Sequence, residues 1–296
     1  MMGFAKTRFW LHPKTRLLGS LIVPGLLLLF YWGQPSLGDR GWLAMGIGLS
    51  IVILMQLESY YRSLEALYHQ DEKFQAILQQ QFDQQARSSH DYYQIEALFS
   101  IFSLLRLRHP LPPMREWAIS PDFAKQLIAL IDQHQPQLIL EVSSGISTVI
   151  MGYCLQMAGQ GKILSLEHDQ RYTQVSQSHV QNHGLQDIAT VIHAPLIPIQ
   201  LDGQSWHWYD LTVVPPLPRS IDLLVIDGPP GDLQRLSRYP ALPLLFQFLS
   251  EQAVVIIDDG ARADEQEIVS RWQQEFGLEV DRIANEKGAF VLRRSA

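Results

Sequence analysis

Residues 137–148 read QLILEVSSGIST: an apolar run, one acid at its end, and a turn of small residues leading into a helix. The run 137–142 has the length and continuous apolarity of a strand covered on both faces. The turn that follows, Ser143-Ser144-Gly145 and then Ile146-Ser147-Thr148, lets the backbone approach a ligand closely. It also aims the N-terminus of the next helix at that ligand. Four runs of the same kind follow: KILSLE (162–167), ATVIH (189–193), IDLLVI (221–226) and AVVIID (253–258). Helical stretches lie between most of them. A further helix over 261–276 precedes LEVDRIA and GAFVLRR, which read as two closing strands. This alternation predicts an α/β fold with a doubly wound, mostly parallel seven-stranded sheet. Ligands of such sheets bind at the carboxyl ends of the strands, so those ends are where chemistry is sought.

The turn after 142 is not the glycine-rich dinucleotide fingerprint, since Gly145 stands alone among the glycines that motif requires. The second strand ends Glu167-His168-Asp169, about twenty residues beyond the turn, where an acidic side chain accepts hydrogen bonds from both ribose hydroxyls. Turn and acid together point to a nucleoside. The fourth strand ends Asp227-Gly228-Pro229-Pro230 and the fifth Asp258-Asp259-Gly260. Three carboxylates facing one cleft repel one another and push a pKa upward, a cost that a hard divalent cation removes. The alternative is structural: Asp258 and Asp259 cap the following helix, while Asp227 opens the Gly-Pro turn.

These stretches resemble the class I S-adenosylmethionine-dependent methyltransferases. EVSSGIST stands where that family has an acid leading a glycine-rich turn, and SLEHD stands at its ribose-binding position. The resemblance extends to a bacterial, membrane-anchored group of methyltransferase-like proteins. It runs through PLPPMREWAISPD, SLEHD, HAPL, WYD, DGPPG, RYPALPLL and DDGARADEQEIVSRW, in that order, between Tyr92 and Arg294. It implies a Rossmann-like fold and S-adenosylmethionine as cofactor. Glu141, Ser143 and Gly145 would border its methionine part, with Ser144 and Ser147 in the same turn. Glu167, flanked by His168, would hold the ribose, and Ala194 the adenine. Ser143 and Ser147 stand where glycine is frequent, which serine matches if its backbone angles are ordinary.

Likeness to metal-dependent O-methyltransferases of the catechol and macrolide-sugar types further implies a Mg²⁺ site on Asp227, Asp258 and Asp259. A hydroxyl bound to such a cation is a stronger acid and so a better nucleophile. Where the catechol type places a lysine just past the first aspartate, this chain has Pro230, leaving Asp227 or His168 as the catalytic base. Arg262 and Glu265 lie three apart on one helix face and either pair with each other or touch substrate. Trp117, Trp206, Trp208 and Tyr209 come from segments that would cover the cleft or fill the core.

Upstream, Leu17–Trp32 lies in an uncharged stretch reaching Gly38, and Gly41–Leu57 is a second apolar segment. They predict a membrane-anchoring helical hairpin over 1–57, or else a buried hairpin of a soluble protein. Lys6, Arg8, Lys14 and Arg16 precede the first segment, so the positive-inside rule puts everything after Leu57 in the cytoplasm, at the cytoplasmic membrane. Residues 58–116 read as a helical linker. Tyr60, Leu64, Leu67, Phe74 and Leu78 suit either a short coiled coil joining two chains through 58–86 or a helix packed on its own domain. Prolines 110, 112 and 113 end it, and 117–296 form the domain.

The net charge of -7 gives a nucleic-acid partner no support. The single cysteine, Cys154, sits in an apolar stretch and reads as a buried helix residue. The function these readings predict is O-methylation of a hydroxyl on a small-molecule acceptor, a carbohydrate or a lipid-linked carbohydrate, at the membrane. The alternatives are a nicotinamide-dependent oxidoreductase and a non-catalytic membrane scaffold.

Overall fold

A computed structural model describes residues 39–217 and 220–294; the side chains of 39–40, 42–45, 70–71, 78 and 82–89 lie outside that description. The chain divides into two compact units, Met1–Ala86 and Arg87–Ala296. Helix α1 (Asp39–Leu104) is followed by α2 (Pro121–His134), β1 (Leu138–Val142), α3 (Ile146–Ala158), β2 (Lys162–Glu167), α4 (Gln170–Asn182) and β3 (Ala189–His193). Then come β4 (Leu196–Leu201), β5 (Gln204–Tyr209), β6 (Ile221–Ile226), α5 (Ala241–Leu245), β7 (Leu249–Ile257), α6 (Ala263–Phe276), β8 (Leu278–Ile283) and β9 (Ala289–Arg294).

In the second unit, seven strands form one sheet in the order β3-β2-β1-β6-β7-β9-β8, parallel except at β9, which runs antiparallel to both of its neighbours. The expected α/β sheet is therefore present. Alternate strand residues serve opposite faces. Ile139, Val225, Val254 and Ile256 join Phe123, Leu127, Val149 and Ile150 of α2 and α3 in one buried cluster. Leu140, Val142, Leu224, Ile226 and Val255 join Ile268 and Trp272 of α6 in another. With both faces covered, the strands read as near-continuous apolar runs. The chain moves outward from β1 through β2 to β3, then returns to β6 on the other side of β1. That reversal opens the crevice between the ends of β1 and β6.

One element departs from the sequence reading. Between β3 and β6 the chain forms a separate antiparallel hairpin, β4–β5, closed by Asp202 and Gly203 at φ 50° and 74°. An Asp-Gly pair with both φ positive is the favoured two-residue hairpin turn. The start of the second unit is tied to the sheet as well. The Gln94 side chain donates to Asp122 Oδ2 at 2.8 Å and accepts from the Asp122 N–H at 3.2 Å, and Ile101 and Leu105 enter the first cluster.

The described part of the first unit is helical. Helix α1 continues through residue 57, because no glycine or proline interrupts residues 49–104. Ile47, Ile51, Ile53, Leu54, Met55 and Leu57 are exposed, as are Tyr60, Leu67 and Phe74. Among the described residues no helix is long and apolar enough to cross a membrane. The second expected span, Gly41–Leu57, is diluted by Gly46, Gly48, Ser50 and Gln56 and so gives the hairpin no support. The first, Leu17–Trp32, with its preceding basic residues, lies outside the described residues.

Candidate active site

Parallel register brings the residues after β3, β2, β1, β6 and β7 side by side. The Ala194 N–H donates to the Glu167 carbonyl at 2.8 Å, Ser143 to Leu166 at 2.9 Å, Asp227 to Val142 at 3.0 Å and Asp258 to Ile226 at 3.1 Å. At the end of β1 the Glu141 carboxylate is fully buried and accepts from Ser165 Oγ at 2.6 Å and Thr148 Oγ1 at 2.5 Å. Thr148 Oγ1 in turn accepts from the Gly145 N–H at 3.1 Å, so Glu141 shapes the turn from beneath. Burial pushes its carboxyl up to about 7. Ser147 is buried in the first turn of α3.

Ser143 takes a positive φ of 82°, so its backbone angles are not ordinary ones for serine and it holds a conformation suited to glycine. A Cβ added at Gly145 would meet no heavy atom within 4 Å, so the space in front of this turn is open to a ligand. Glu167 borders that space. Its Oε2 accepts from the Ser144 N–H at 3.1 Å and its Oε1 from the Asp169 N–H at 3.1 Å, with His168 Nδ1 3.1 Å from Oε1. Burial acts to raise Glu167, but His168 and the two N–H groups together outweigh it and hold the carboxyl below its usual range. Ser144 Oγ also lies 2.8 Å from Ser176 Oγ on α4. Asp169 faces away and caps α4 by accepting from the Arg171 and Tyr172 N–H groups at 2.7 and 3.2 Å. His168 is 27% exposed and its carbonyl lies 3.1 Å from His193 Nε2. Ala194 is buried beside them. The cofactor residues expected from sequence thus share one end of the sheet.

The three aspartates behave differently from either expectation. Arg238, only 3% exposed, reaches between the ends of β6 and β7. Its Nη2 lies 2.6 Å from Asp259 Oδ2 and 3.3 Å from Asp227 Oδ1, and its Nη1 donates to the Asp258 carbonyl at 3.0 Å. Its Nε faces Glu265 at 3.7 Å, while Arg262 Nη1 meets Asp259 at 2.9 Å and Glu265 at 3.8 Å. Neither Asp258 nor Asp259 caps α6, whose N-cap is Arg262. Both side-chain oxygens of Asp258 are buried without a hydrogen-bond partner, and burial raises its carboxyl well above the usual range. A Mg²⁺ site on Asp227, Asp258 and Asp259 does not fit this donor set, because a guanidinium already bridges two of the carboxylates. Among the described residues no group of three or more His, Cys, Asp or Glu is placed to hold a metal ion. Asp227 remains 15% exposed, and burial raises its carboxyl to about 6 against the opposing pull of Arg238.

Arg238 was missed in the sequence although SRYPALPLL carried a signal: an arginine leading an apolar run is buried only when paired. Tyr209 stood among the aromatics expected to cover the cleft or fill the core. It is buried, its hydroxyl approaches the position a Cβ on Gly228 would take, and its ring meets His168 edge-on with centroids 6.0 Å apart. Trp206 and Trp208 are core residues, Trp206 stacking on Tyr239 at 5.1 Å, whereas Trp117 is exposed. Cys154 is buried in α3, as expected.

Residues 141–260 match a methyltransferase domain family. That span opens on Glu141 and closes just past Asp259, so it takes in every strand end described above. No curated protein matches the chain. Among solved structures, an S-adenosylhomocysteine-bound methyltransferase of Podospora anserina is 14% identical and aligns over 72% of this chain and 96% of its own, with a TM-score of 0.51. An O-methyltransferase candidate of Klebsiella pneumoniae is 19% identical over 70% of this chain and all of its own, at 0.49. The O-methyltransferase TomG of Streptomyces achromogenes, in complex with S-adenosylmethionine, is 14% identical over 71% and 96%, also at 0.49. The first of these likenesses shows the fold; the sequence match supplies the class. Residues 141–260 form a methyltransferase domain, and the chain is a methyltransferase of this seven-stranded, Rossmann-like type.

Proposed function

We propose that the domain transfers the methyl group of S-adenosylmethionine to a hydroxyl of a small acceptor. The observation that carries this reading is the open space at Gly145 bordered by the Glu167 carboxylate, at the reversal point of the sheet. S-adenosylmethionine supplies an electrophilic methyl on a sulfonium. Glu167 accepts from the ribose hydroxyls, and the turn 143–145 lies along the methionine part. Asp227, the most exposed of the carboxyl groups around Arg238, takes the proton of the acceptor hydroxyl as its oxygen attacks the methyl carbon. The carbon–sulfur bond breaks and its electron pair stays on sulfur. S-adenosylhomocysteine should therefore bind the full chain in calorimetry. Glu167→Ala should weaken that binding by about 10- to 150-fold, the loss of one charged hydrogen bond. Unchanged affinity would remove Glu167 from the ribose position.

The reading extends to a carbohydrate or lipid-linked acceptor at a membrane surface. Its support is the uncharged stretch Leu17–Gly38 behind four basic residues. The full chain should stay in the membrane fraction through a high-salt wash that strips electrostatic attachment. Recovery in the wash without detergent would overturn the anchor and leave the methyltransferase reading intact.

A further inference from the structure

We propose that the Arg238 guanidinium is the built-in cation of this cleft, occupying the place between the ends of β6 and β7 that a divalent ion would take among the carboxylates. The inference rests on the reading of the cleft as a methyl-transfer site. Nη2 stands within 3.3 Å of oxygens from both strand ends, Asp227 Oδ1 and Asp259 Oδ2. Mg²⁺ needs its oxygens at about 2.0–2.1 Å in near-octahedral array. Here the point between the two carboxylates is filled by nitrogen. The third carboxylate does not converge on it: Arg238 meets Asp258 through the main-chain carbonyl, and no hydrogen-bond donor meets the Asp258 side chain.

The guanidinium is held at both of its Nη nitrogens. Besides these contacts, Nη2 lies 3.2 Å from the Asp227 carbonyl, and Nε faces Glu265. An arginine so placed stays protonated, and its planar fork gives fixed directions that a point charge lacks. A divalent ion brought to the same carboxylates would face a positive charge a few ångströms away, with a second, Arg262, already on Asp259. Two consequences follow for the reaction. Arg238 is a positioning residue: it fixes Asp227 by one oxygen, Oδ1, and leaves Oδ2 for the acceptor's proton. The acceptor, in turn, needs one hydroxyl and not the two neighbouring oxygens that chelation to a metal requires.

The test is a Mn²⁺ titration of the chelator-treated full chain, read by the electron paramagnetic resonance of free Mn²⁺, with S-adenosylhomocysteine affinity measured on the same samples. Wild type should show no saturable site up to about 1 mM. A tighter site that Asp227→Asn or Asp259→Asn abolishes overturns the proposal. Arg238→Gln leaves the carboxylates without their cation and should bind Mn²⁺ at least roughly tenfold more tightly than wild type. A folded Arg238→Gln protein with no gain also overturns it. If that variant does not fold, the wild-type titration decides alone. Loss of S-adenosylhomocysteine binding in the wild type would strike the methyl-transfer reading while leaving the Mn²⁺ result standing, so the two failures are distinguishable.

Discussion

Asp227→Asn is expected to cut the methyl-transfer rate by about two to four orders of magnitude, the usual contribution of a positioned general base. Affinity for S-adenosylhomocysteine should hold within about threefold, because the proposed cofactor contacts are at the ends of β1, β2 and β3. The amide keeps the size and the carbonyl-type oxygen that faces Arg238 Nη2, so the local packing survives while proton uptake is lost. Wild type carries its own signature. Burial raises the Asp227 carboxyl to about 6, and a base must be ionised to act, so the rate should rise with pH through about 6 and level off above it. In Asp227→Asn that limb should vanish. Release of S-adenosylhomocysteine with a hydroxyl acceptor turned over by wild type measures both. A variant within threefold of wild type, or one retaining the acid limb, would remove Asp227 as the base.

Arg238→Gln should be the most damaging single change to stability, at about 3–5 kcal/mol, because it strands charges that cannot reach water. Asp259 is nearly as buried as Arg238 and Glu265 more so, and Arg262, half in solvent, cannot neutralise both. For a unit of roughly 150–250 residues this corresponds to a fall of about 6–20 °C in melting temperature. The pH dependence follows from linkage. A carboxyl whose folded-state pKa is raised binds its proton more tightly in the native state, so its contribution to stability falls as pH rises from the unfolded value toward the folded one. For Asp227 that window runs from 3.8 to about 6, and burial raises Asp258 and Glu265 as well. Removing Arg238 takes away the main charge that opposes the upward shifts of Asp227 and Glu265. The deficit of Arg238→Gln should therefore be smaller near pH 5 than at pH 8. Urea unfolding at the two values checks it; a loss under about 1 kcal/mol at pH 8 would mean that the carboxylates are protonated or solvated without it.

Much of this was legible in the chain because parallel strands buried on both faces leave an unambiguous apolar mark. QLILEV, KILSLE, ATVIH and IDLLVI became β1, β2, β3 and β6 within a residue. The site residues at their ends followed from topology. What stayed hidden depended on contacts distant in sequence. Arg238 and Asp259 are 21 residues apart, and local periodicity says nothing about which charge will cross that gap. Carboxylates at neighbouring strand ends do announce a missing positive charge; they do not say whether it is an ion or a side chain. The β4–β5 hairpin was overlooked for a different reason. Its strands alternate weakly, but the Asp202-Gly203 pair between IPIQL and QSWHW was a local hairpin signal. The segment Gly41–Leu57 shows the limit of hydropathy: an uncharged stretch is not yet a span when glycine, serine and glutamine interrupt it.

The hairpin also sets where this enzyme tolerates redesign. Its ends are paired, Leu196 opposite Tyr209, so the chain leaves and rejoins the domain at nearly the same place. Tyr209 stands at the site, and the Asp202-Gly203 tip lies about 20 Å along the strand, roughly six residues at some 3.4 Å each. A Cβ on Gly203 would meet nothing within 4 Å. Sequence grafted into that tip leaves the register of the sheet untouched, and closing a longer loop across paired ends costs little. Selection, natural or in the laboratory, can thus lengthen the tip to meet larger acceptors while the strand that carries Tyr209 stays where it is.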